Sequence, residues 1–314
     1  MIERAIRIVL PVMVLAGLTA AAWYYRQQAR TSDFANVAYG RTSPSQHPDI
    51  YVSPGPGPFP VVLFSHGGAF MFGDKRGIGS GLRNDVDALN AAGIALVSID
   101  YRLSGEAEFP ATIHELESAL RFVRANAAHY RDVPSRVALW GRSAGANIAL
   151  VAGMSPGVAL FNNPATIAPA ADDRVSAIVS MYGPTDFPAM DAELGAAGCD
   201  PSAHSHNAAD SLELRYLGAK IFTISSILAK ANLPVYVGAA ALPLLIQHGT
   251  ADCTVPPLQN RILADRLTAA GPGRAVLQFH EGAVHADSAL DSAANVALGT
   301  AFLRQAFGTQ KHVD

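Results

Sequence analysis

Charged residues are scarce in this 314-residue chain: Asp, Glu, Lys and Arg make up 16% of it, and the formal net charge is −3. No run of basic residues occurs, so the clustered Lys and Arg that bind phosphates are missing. We therefore expect no nucleic acid among its partners. The hydrophobic share of 50% argues against a disordered chain and fits a globular enzyme with a large buried sheet.

Cysteine is also scarce, with only Cys199 and Cys253 present. They form neither a CxxC pair nor a Cys/His ligand spacing, and His204 and His206 lack an evident third ligand, so we expect no metal site. An even cysteine count in an exported chain permits a disulfide. A Cys199–Cys253 bridge would hold the loop around Asp252, and two unrelated buried thiols are the alternative.

An apolar run from Ile8 to Tyr25 follows the basic residues Arg4 and Arg7. About eighteen apolar residues just suffice to cross a bilayer as a helix. This pattern predicts a membrane anchor over 1–30, with the catalytic part outside the cytosol, in the periplasm. The alternative is a signal peptide cleaved near Ala20-Ala21-Ala22, which would release a secreted protein.

Residues 31–60 are rich in Ser, Pro and Gly and predict a linker and entry segment before one domain over 61–310. From Val61 onward, short apolar runs alternate with helical patterns, which indicates an α/β protein with a mostly parallel, twisted central sheet and helices on both faces. The predicted strands are 61–64, 94–99, 137–140, 177–181, 244–247 and 275–279, and the predicted helices are 84–92, 113–127, 144–154, 260–270 and 286–307.

The segment from about 187 to 242 interrupts this alternation because it shows no clear strand. Insertions of this length over a catalytic face are usually lids or substrate-binding segments. We expect a lid-like insertion, with a surface loop as the alternative.

The sequence Gly141-Arg-Ser143-Ala-Gly145 matches the G-x-S-x-G pattern and lies between a predicted strand and a predicted helix. That context is the one a nucleophile elbow requires. The turn holds the serine in strained backbone, and neighbouring chain passes too close for side chains at the two glycines. Ser143 is therefore the predicted nucleophile.

A serine hydroxyl needs a base, and the base needs a group that orients it. In this architecture the acid and then the histidine follow later strands. Asp252 follows the strand that ends in Gln247-His-Gly249, and His285 follows the next strand. Asp186 and His280 are the weaker alternatives for acid and base.

His66-Gly67-Gly68-Ala69 follows the first predicted strand, where an oxyanion loop belongs. We expect the amides of Gly68, Ala69 and Ala144 to bind the oxyanion, and His66 to brace the loop. Glycine spacing over 77–81 lacks the third glycine of a dinucleotide loop, so no cofactor is expected.

Together these motifs resemble the esterase and lipase branch of the α/β hydrolases, which includes hormone-sensitive-lipase-like and feruloyl-esterase-like (BD-FAE-like) carboxylesterases. The resemblance covers about 61–307 and includes Ile99-Asp-Tyr-Arg-Leu103, Tyr182-Gly-Pro-Thr-Asp186 and Gly282 to His285. Ala69 departs from the third glycine that lipase-like members usually carry. The resemblance implies a cofactor-independent serine carboxylic-ester hydrolase acting on small-molecule esters.

Short-acyl esters are the expected substrates. A lipase, a carbohydrate acetyl or feruloyl esterase and, less favoured, a peptidase are the enzymatic alternatives. The alternative outside enzymology is a catalytically silent, membrane-tethered binding module.

Overall fold

The computed structural model describes residues 32–77, 81–162, 168, 170–200, 205–218, 229–238, 242–271 and 273–309. The predicted anchor or signal peptide over 1–30 lies outside these residues. Within them, no helix combines the length and apolar character that crossing a bilayer demands.

A seven-stranded sheet lies at the centre of the described residues. Its spatial order is β1-β3-β2-β4-β5-β6-β7. Only the pair β1 and β3 is antiparallel among its neighbours, and the other five pairs are parallel. The mostly parallel α/β sheet predicted from the alternating pattern is therefore confirmed. The strands are β1 (Pro48–Tyr51), β2 (Phe59–Ser65), β3 (Ala95–Ile99), β4 (Asp132–Arg142), β5 (Ile178–Met181), β6 (Leu244–Gly249) and β7 (Ala275–His280).

Helices cover both faces of this sheet. Those described are α1 (Gly81–Ala91), α2 (Ala111–Ala125), α3 (Ala127–Tyr130), α4 (Ala144–Met154), α5 (Met190–Ala196), α6 (Leu212–Leu217), α7 (Pro257–Ala270) and α8 (Ala293–Thr309). Single 3₁₀ turns occur at Ala159–Phe161, Phe187–Ala189 and Leu233–Val235.

The two helical layers bury two separate hydrophobic cores because successive strand residues point to opposite faces. In β2, Leu63 belongs to the core that includes residues of α2, α4 and α7, whereas Phe64 belongs to the core that includes residues of α1 and α8. Burial on both faces explains why the central strands are continuously apolar.

The connections place a crevice at the carboxyl ends of β2 and β4. The chain leaves β2 through α1 to reach β3 on one side, and it leaves β4 through α4 to reach β5 on the other side. Adjacent strands whose connections diverge in this way form the usual ligand-binding crevice of open α/β sheets. The loop after β2 contains His66, and the residue after β4 is Ser143.

The segment predicted as a linker differs from that prediction. It contains β1, whose residues Pro48 to Tyr51 pair with β3, and the buried ring of Tyr39 donates its hydroxyl to the Asp100 carbonyl at 2.6 Å. The physical reason is that the few apolar residues of this Pro- and Ser-rich segment cover one edge of the sheet.

The last helix also differs, because α8 begins at Ala293 rather than Ala286. The carboxylate of Asp287 accepts a hydrogen bond from the Ala289 amide at 2.9 Å, and Ala286 has a φ of 54°. This turn keeps His285 in a loop at the edge of the sheet.

Candidate active site

Ser143 occupies a strained turn between β4 and α4, with φ 50° and ψ −121°. Its amide donates to the Met181 carbonyl of β5 at 2.9 Å, which anchors the turn to the sheet. A Cβ on Gly141 would overlap the Gly145 carbonyl, and one on Gly145 would overlap the Ser65 carbonyl. Both glycines are therefore required by close backbone packing, and the hydroxyl of Ser143 is held at the start of a helix.

The three residues expected to form a triad lie in hydrogen-bonding sequence. Ser143 Oγ is 3.0 Å from His285 Nε2, and His285 Nδ1 is 2.7 Å from Asp252 Oδ2. Because the carboxylate accepts only, Nδ1 carries the imidazole proton and Nε2 is free to accept from the serine. The geometry suits removal of a proton from Ser143.

The carboxylate of Asp252 is buried, and its Oδ1 accepts from the amides of Thr254 at 2.8 Å and Val255 at 2.9 Å. Burial alone would raise the pKa of Asp252, but the hydrogen bonds from His248 and His285, together with the charge of His285, outweigh it and hold that pKa well below its usual value. Asp252 is therefore an anion that can orient and stabilise the imidazolium of His285.

The loops that contain Asp252 and His285 are bonded to each other. The Thr250 amide donates to the His280 carbonyl at 2.9 Å, and the Ala251 amide donates to the Ala283 carbonyl at 3.0 Å. Gly282 donates in turn to Thr250 Oγ1 at 2.8 Å. Asp252 and His285 consequently lie in two loops that are hydrogen-bonded to each other beyond β6 and β7.

The loop after β2 lies beside Ser143. An added Cβ on Gly67 would lie 3.2 Å from the Ser143 Cβ. Gly68 has a φ of 114° and Ala69 a φ of 52°, so two successive residues adopt the left-handed region. Among the described residues, no hydrogen bond uses the amide of Gly68, Ala69 or Ala144. These three amides are the donors expected for an oxyanion.

His66 braces this loop from below. Its ring stacks on Tyr101 with centroids 4.3 Å apart, and its Nδ1 lies 2.7 Å from the Gly67 carbonyl. Burial lowers the pKa of His66, and partial compensation comes from the Gly67 carbonyl and from Asp100. His66 therefore supports the loop as a neutral ring.

Sequence reasoning did not identify His248 as part of the site. Its Nε2 lies 3.0 Å from Asp252 Oδ2, so a second imidazole contacts the same carboxylate oxygen as His285. The buried amide of Asn260 lies 2.6 Å from His248 Nδ1. The signal available in the sequence was the stretch Gln247-His-Gly-Thr-Ala-Asp252, one of the motifs in which the chain resembles the esterase and lipase branch.

Arg142, next to Ser143, was likewise not predicted to have a role. It forms ion pairs of 2.8 Å with Asp85 of α1 and 3.0 Å with Asp291, which precedes α8. Burial raises the pKa of Asp85 to about 7, although Arg142 opposes that change. The cluster ties the turn at Ser143 to the segment that follows His285.

Among the described residues, neither alternative, Asp186 or His280, forms a hydrogen bond with Ser143. Asp186 instead lines a surface pocket together with Arg266 of α7, Glu193 and Val237, and Ser143, Asp252 and His285 are not part of the wall of that pocket. His280 Nε2 has no hydrogen-bond partner among the described residues.

The described part of the insertion is attached to the loop around Asp252 by a disulfide and by a hydrogen bond. Cys199, just after α5, forms a disulfide with Cys253. His206 Nε2 lies 3.0 Å from the Thr254 carbonyl, and its Nδ1 lies 2.9 Å from Glu213. Both ring nitrogens face acceptors, so His206 is a cation here.

His204 lies outside the described residues. The described residues contain no group of three His, Cys, Asp or Glu side chains placed to hold a metal ion.

Residues 49–267 match the family model BD-FAE. The chain belongs to the BD-FAE family. The resemblance to an esterase branch of the α/β hydrolases is thereby confirmed.

Two relatives of this BD-FAE chain come from Mycobacterium tuberculosis. Esterase LipC is 28% identical over 239 residues, which cover 75% of this chain and 55% of LipC. The probable carboxylic ester hydrolase LipM is 28% identical over 292 residues, covering 91% of this chain and 63% of LipM. The chain thus spans somewhat more than half the length of these relatives.

A solved structure described as a truncated form of a carbohydrate esterase from gut microbiota superposes on the BD-FAE chain with a TM-score of 0.77. The identity is 23%, over 90% of this chain and 99% of that chain. This likeness shows the fold, which is the α/β-hydrolase fold that the sequence predicts.

Proposed function

We propose that this chain is a serine carboxylic-ester hydrolase with Ser143 as nucleophile, His285 as general base and Asp252 as the acid that orients the base. The observation that carries the proposal is the continuous hydrogen-bond path from Ser143 Oγ through His285 to Asp252. Membership of the BD-FAE family and the names of its curated relatives support the same activity.

In the proposed reaction, His285 takes the Ser143 proton as the oxygen attacks the ester carbonyl. The amides of Gly68, Ala69 and Ala144 stabilise the oxyanion, and loss of one such donor typically lowers the rate on the order of 10²–10³-fold. His285 then protonates the leaving alcohol. It next activates a water molecule, which hydrolyses the acyl-enzyme.

Short acyl groups are the proposed substrates. Gly67 lies close to Ser143, since an added Cβ there would be 3.2 Å from the Ser143 Cβ. The neighbouring Gly68, Ala69 and Ala144 have either no side chain or a single methyl group. A long acyl chain would need an extended apolar channel to leave water, because each methylene gains about 0.8 kcal/mol only when buried.

The test is labelling by a fluorophosphonate together with hydrolysis of p-nitrophenyl acetate, butyrate and decanoate, using the full chain. Ser143→Ala is compared with Ser135→Ala, which removes an exposed serine from the opposite end of the same strand, β4. We expect Ser143→Ala to abolish labelling and turnover and Ser135→Ala to retain both, with acetate or butyrate preferred over decanoate.

Absence of labelling in folded wild type would refute the hydrolase and favour the binding module. A decanoate preference would refute the short-acyl part alone and point to a lipase. Release of ferulate from methyl ferulate, or of acetate from acetylated xylan, at rates above the p-nitrophenyl esters would identify a carbohydrate esterase.

We also propose that the catalytic part lies outside the cytosol, on an anchor over 1–30 or secreted after cleavage. The apolar run from Ile8 to Tyr25 and the disulfide between Cys199 and Cys253 support this location, since disulfides persist in oxidising compartments. Cell fractionation with protease accessibility tests it: protection of the chain in intact spheroplasts would contradict the proposal.

A further inference from the structure

Two imidazoles contact one oxygen of the proposed catalytic acid. Asp252 Oδ2 lies 2.7 Å from His285 Nδ1 and 3.0 Å from His248 Nε2. His248 is completely buried at the end of β6, and its ring does not reach the nucleophile or the oxyanion loop in any hydrogen bond described. Its contact with Asp252 is therefore the feature that needs an explanation.

The protonation of His248 follows from its partners. The side-chain amide of Asn260, on α7, has its nitrogen 3.0 Å from the Gly183 carbonyl and 2.6 Å from His248 Nδ1. A carbonyl oxygen only accepts, so the NH₂ group must face Gly183, and its second hydrogen points at Nδ1. Nδ1 must then present a lone pair.

The other ring nitrogen consequently carries the proton. Nε2 faces two acceptors, Asp252 Oδ2 and the Val255 carbonyl, each at 3.0 Å. A charged His248 would place a second N–H against the Asn260 donor at 2.6 Å, inside a fully buried site. Every contact therefore fits a neutral ring that donates from Nε2.

We infer that His248, fixed by Asn260, is a positioning residue that holds Asp252 in the rotamer facing His285. This inference rests on the proposed ester hydrolase. Being neutral, His248 supplies a hydrogen bond without a positive charge, so the carboxylate keeps its full attraction for the His285 imidazolium. The groups that face Asp252 from the surrounding elements are His248, His285 and the amides of Thr254 and Val255.

The kinetic test compares His248→Gln with His248→Phe in the full chain. The Gln amide nitrogen can occupy the place of Nε2 and donate to Asp252, whereas Phe fills the volume without a donor. We expect Phe to lower kcat for p-nitrophenyl acetate on the order of 10–100-fold with KM little changed, and Gln to recover most of the loss. The matched control is His129→Gln, which replaces an exposed histidine.

Two results would overturn the inference: undiminished kcat in a folded His248→Phe variant, or equal losses in the Phe and Gln variants. Wild-type turnover that disappears in Ser143→Ala is measured first. If wild type showed no turnover, or if Ser143→Ala kept it, the proposed function would be refuted. The two results above refute only the role of His248.

A spectroscopic measurement keeps the inference testable even if the Phe variant does not fold. Long-range ¹H–¹⁵N spectra of histidine-labelled wild type, with His248 assigned by its absence in the Gln variant, report which nitrogen is protonated. We expect the pattern of a neutral ring protonated at Nε2. A ring protonated at Nδ1, or one protonated at both nitrogens, would overturn the assignment.

Discussion

Strain and close packing at single residues concentrate at the carboxyl edge of the sheet. Ala69, Phe70, Ser143, Tyr182 and Ala286 all have positive φ values although none is a glycine. Such conformations cost on the order of 1–3 kcal/mol each and persist only where the surroundings impose them. At Ser143 the imposing contacts are the Met181 carbonyl and the two flanking glycines.

Gly145→Ala tests this packing directly. The added Cβ would meet two backbone carbonyls, those of Ser65 and His66, which cannot move without shifting β2. We expect a loss of about 1–3 kcal/mol in unfolding free energy by urea denaturation, with a larger loss of esterase activity. Gly195→Ala in α5 is the control, because nothing lies within 4 Å of its added Cβ. An equal stability for both variants would contradict the prediction.

Sequence patterns led to a choice of catalytic residues but not of the residues that support them. Ser143, Asp252 and His285 could be chosen because a motif and strand order restrict the choice. His248 and Asn260 could not be paired in advance, since one ends β6 and the other lies in α7, and only the packing of that helix brings them together.

At the scale of elements, the insertion after β5 is bonded to the loop that holds the acid. The described part contains only short helices, α5 and α6, and 3₁₀ turns. The disulfide and His206 attach it to residues 253 and 254. A pattern of apolar residues does not show whether a segment moves as a lid. The sequence therefore predicts where the insertion lies but not how it moves.

The disulfide should contribute to stability and to catalysis. It joins residues separated by 54 positions, and closing a loop of that length typically stabilises a protein by about 2–4 kcal/mol. We expect the double variant Cys199→Ser, Cys253→Ser to lose that amount in urea denaturation and to show a lower kcat, because Asp252 precedes Cys253. Treatment of wild type with dithiothreitol should reproduce both effects, and unchanged stability in both would refute the role.

His206 should make the attachment of the insertion depend on pH. Burial lowers the pKa of His206, but the hydrogen bond and charge of Glu213, with Asp191, raise it more, so the pKa lies above its ordinary value of 6.5. Because the pKa of His206 is higher in the folded than in the unfolded state, protonated His206 contributes its full stabilisation of the folded protein below pH 6.5. This contribution is lost as the pH rises through the folded-state pKa.

The measurement is the difference in Tm between wild type and His206→Gln across pH 6 to 9. We expect the difference in Tm to be largest near pH 6 and to shrink as the pH rises. A Tm difference between wild type and His206→Gln that grows with pH would contradict the predicted direction of the pH dependence.

At the scale of the whole molecule, the order of strands and helices followed from the alternating apolar runs. Boundaries were less predictable where local polar contacts decide them. The strand β4 begins at Asp132, well before the apolar run at Val137, and the start of α8 is delayed by the turn at Asp287. The strand β1 was not predicted because its four residues lie among prolines and serines.

The position of β1 gives a prediction about truncation. A fragment from residue 32 keeps β1 and the buried Tyr39, whereas one from residue 59 exposes the edge of β3 and removes the Tyr39 hydroxyl from Asp100 and Glu115. We expect the first to unfold cooperatively near the Tm of the full chain and the second to aggregate or melt at lower temperature. Equal melting temperatures of the two fragments, measured by circular dichroism, would indicate that residues 32–58 are only a linker.

The strand order also bears on how the protein is made. The proposed nucleophile follows β4, in the first half of the chain, whereas its base follows β7, near the carboxyl end. A nascent chain that has emerged only as far as β6 thus presents the serine without the histidine that activates it. On the proposed mechanism, reactivity is acquired last during biosynthesis, so incomplete chains stay inert toward esters in the cell that produces them.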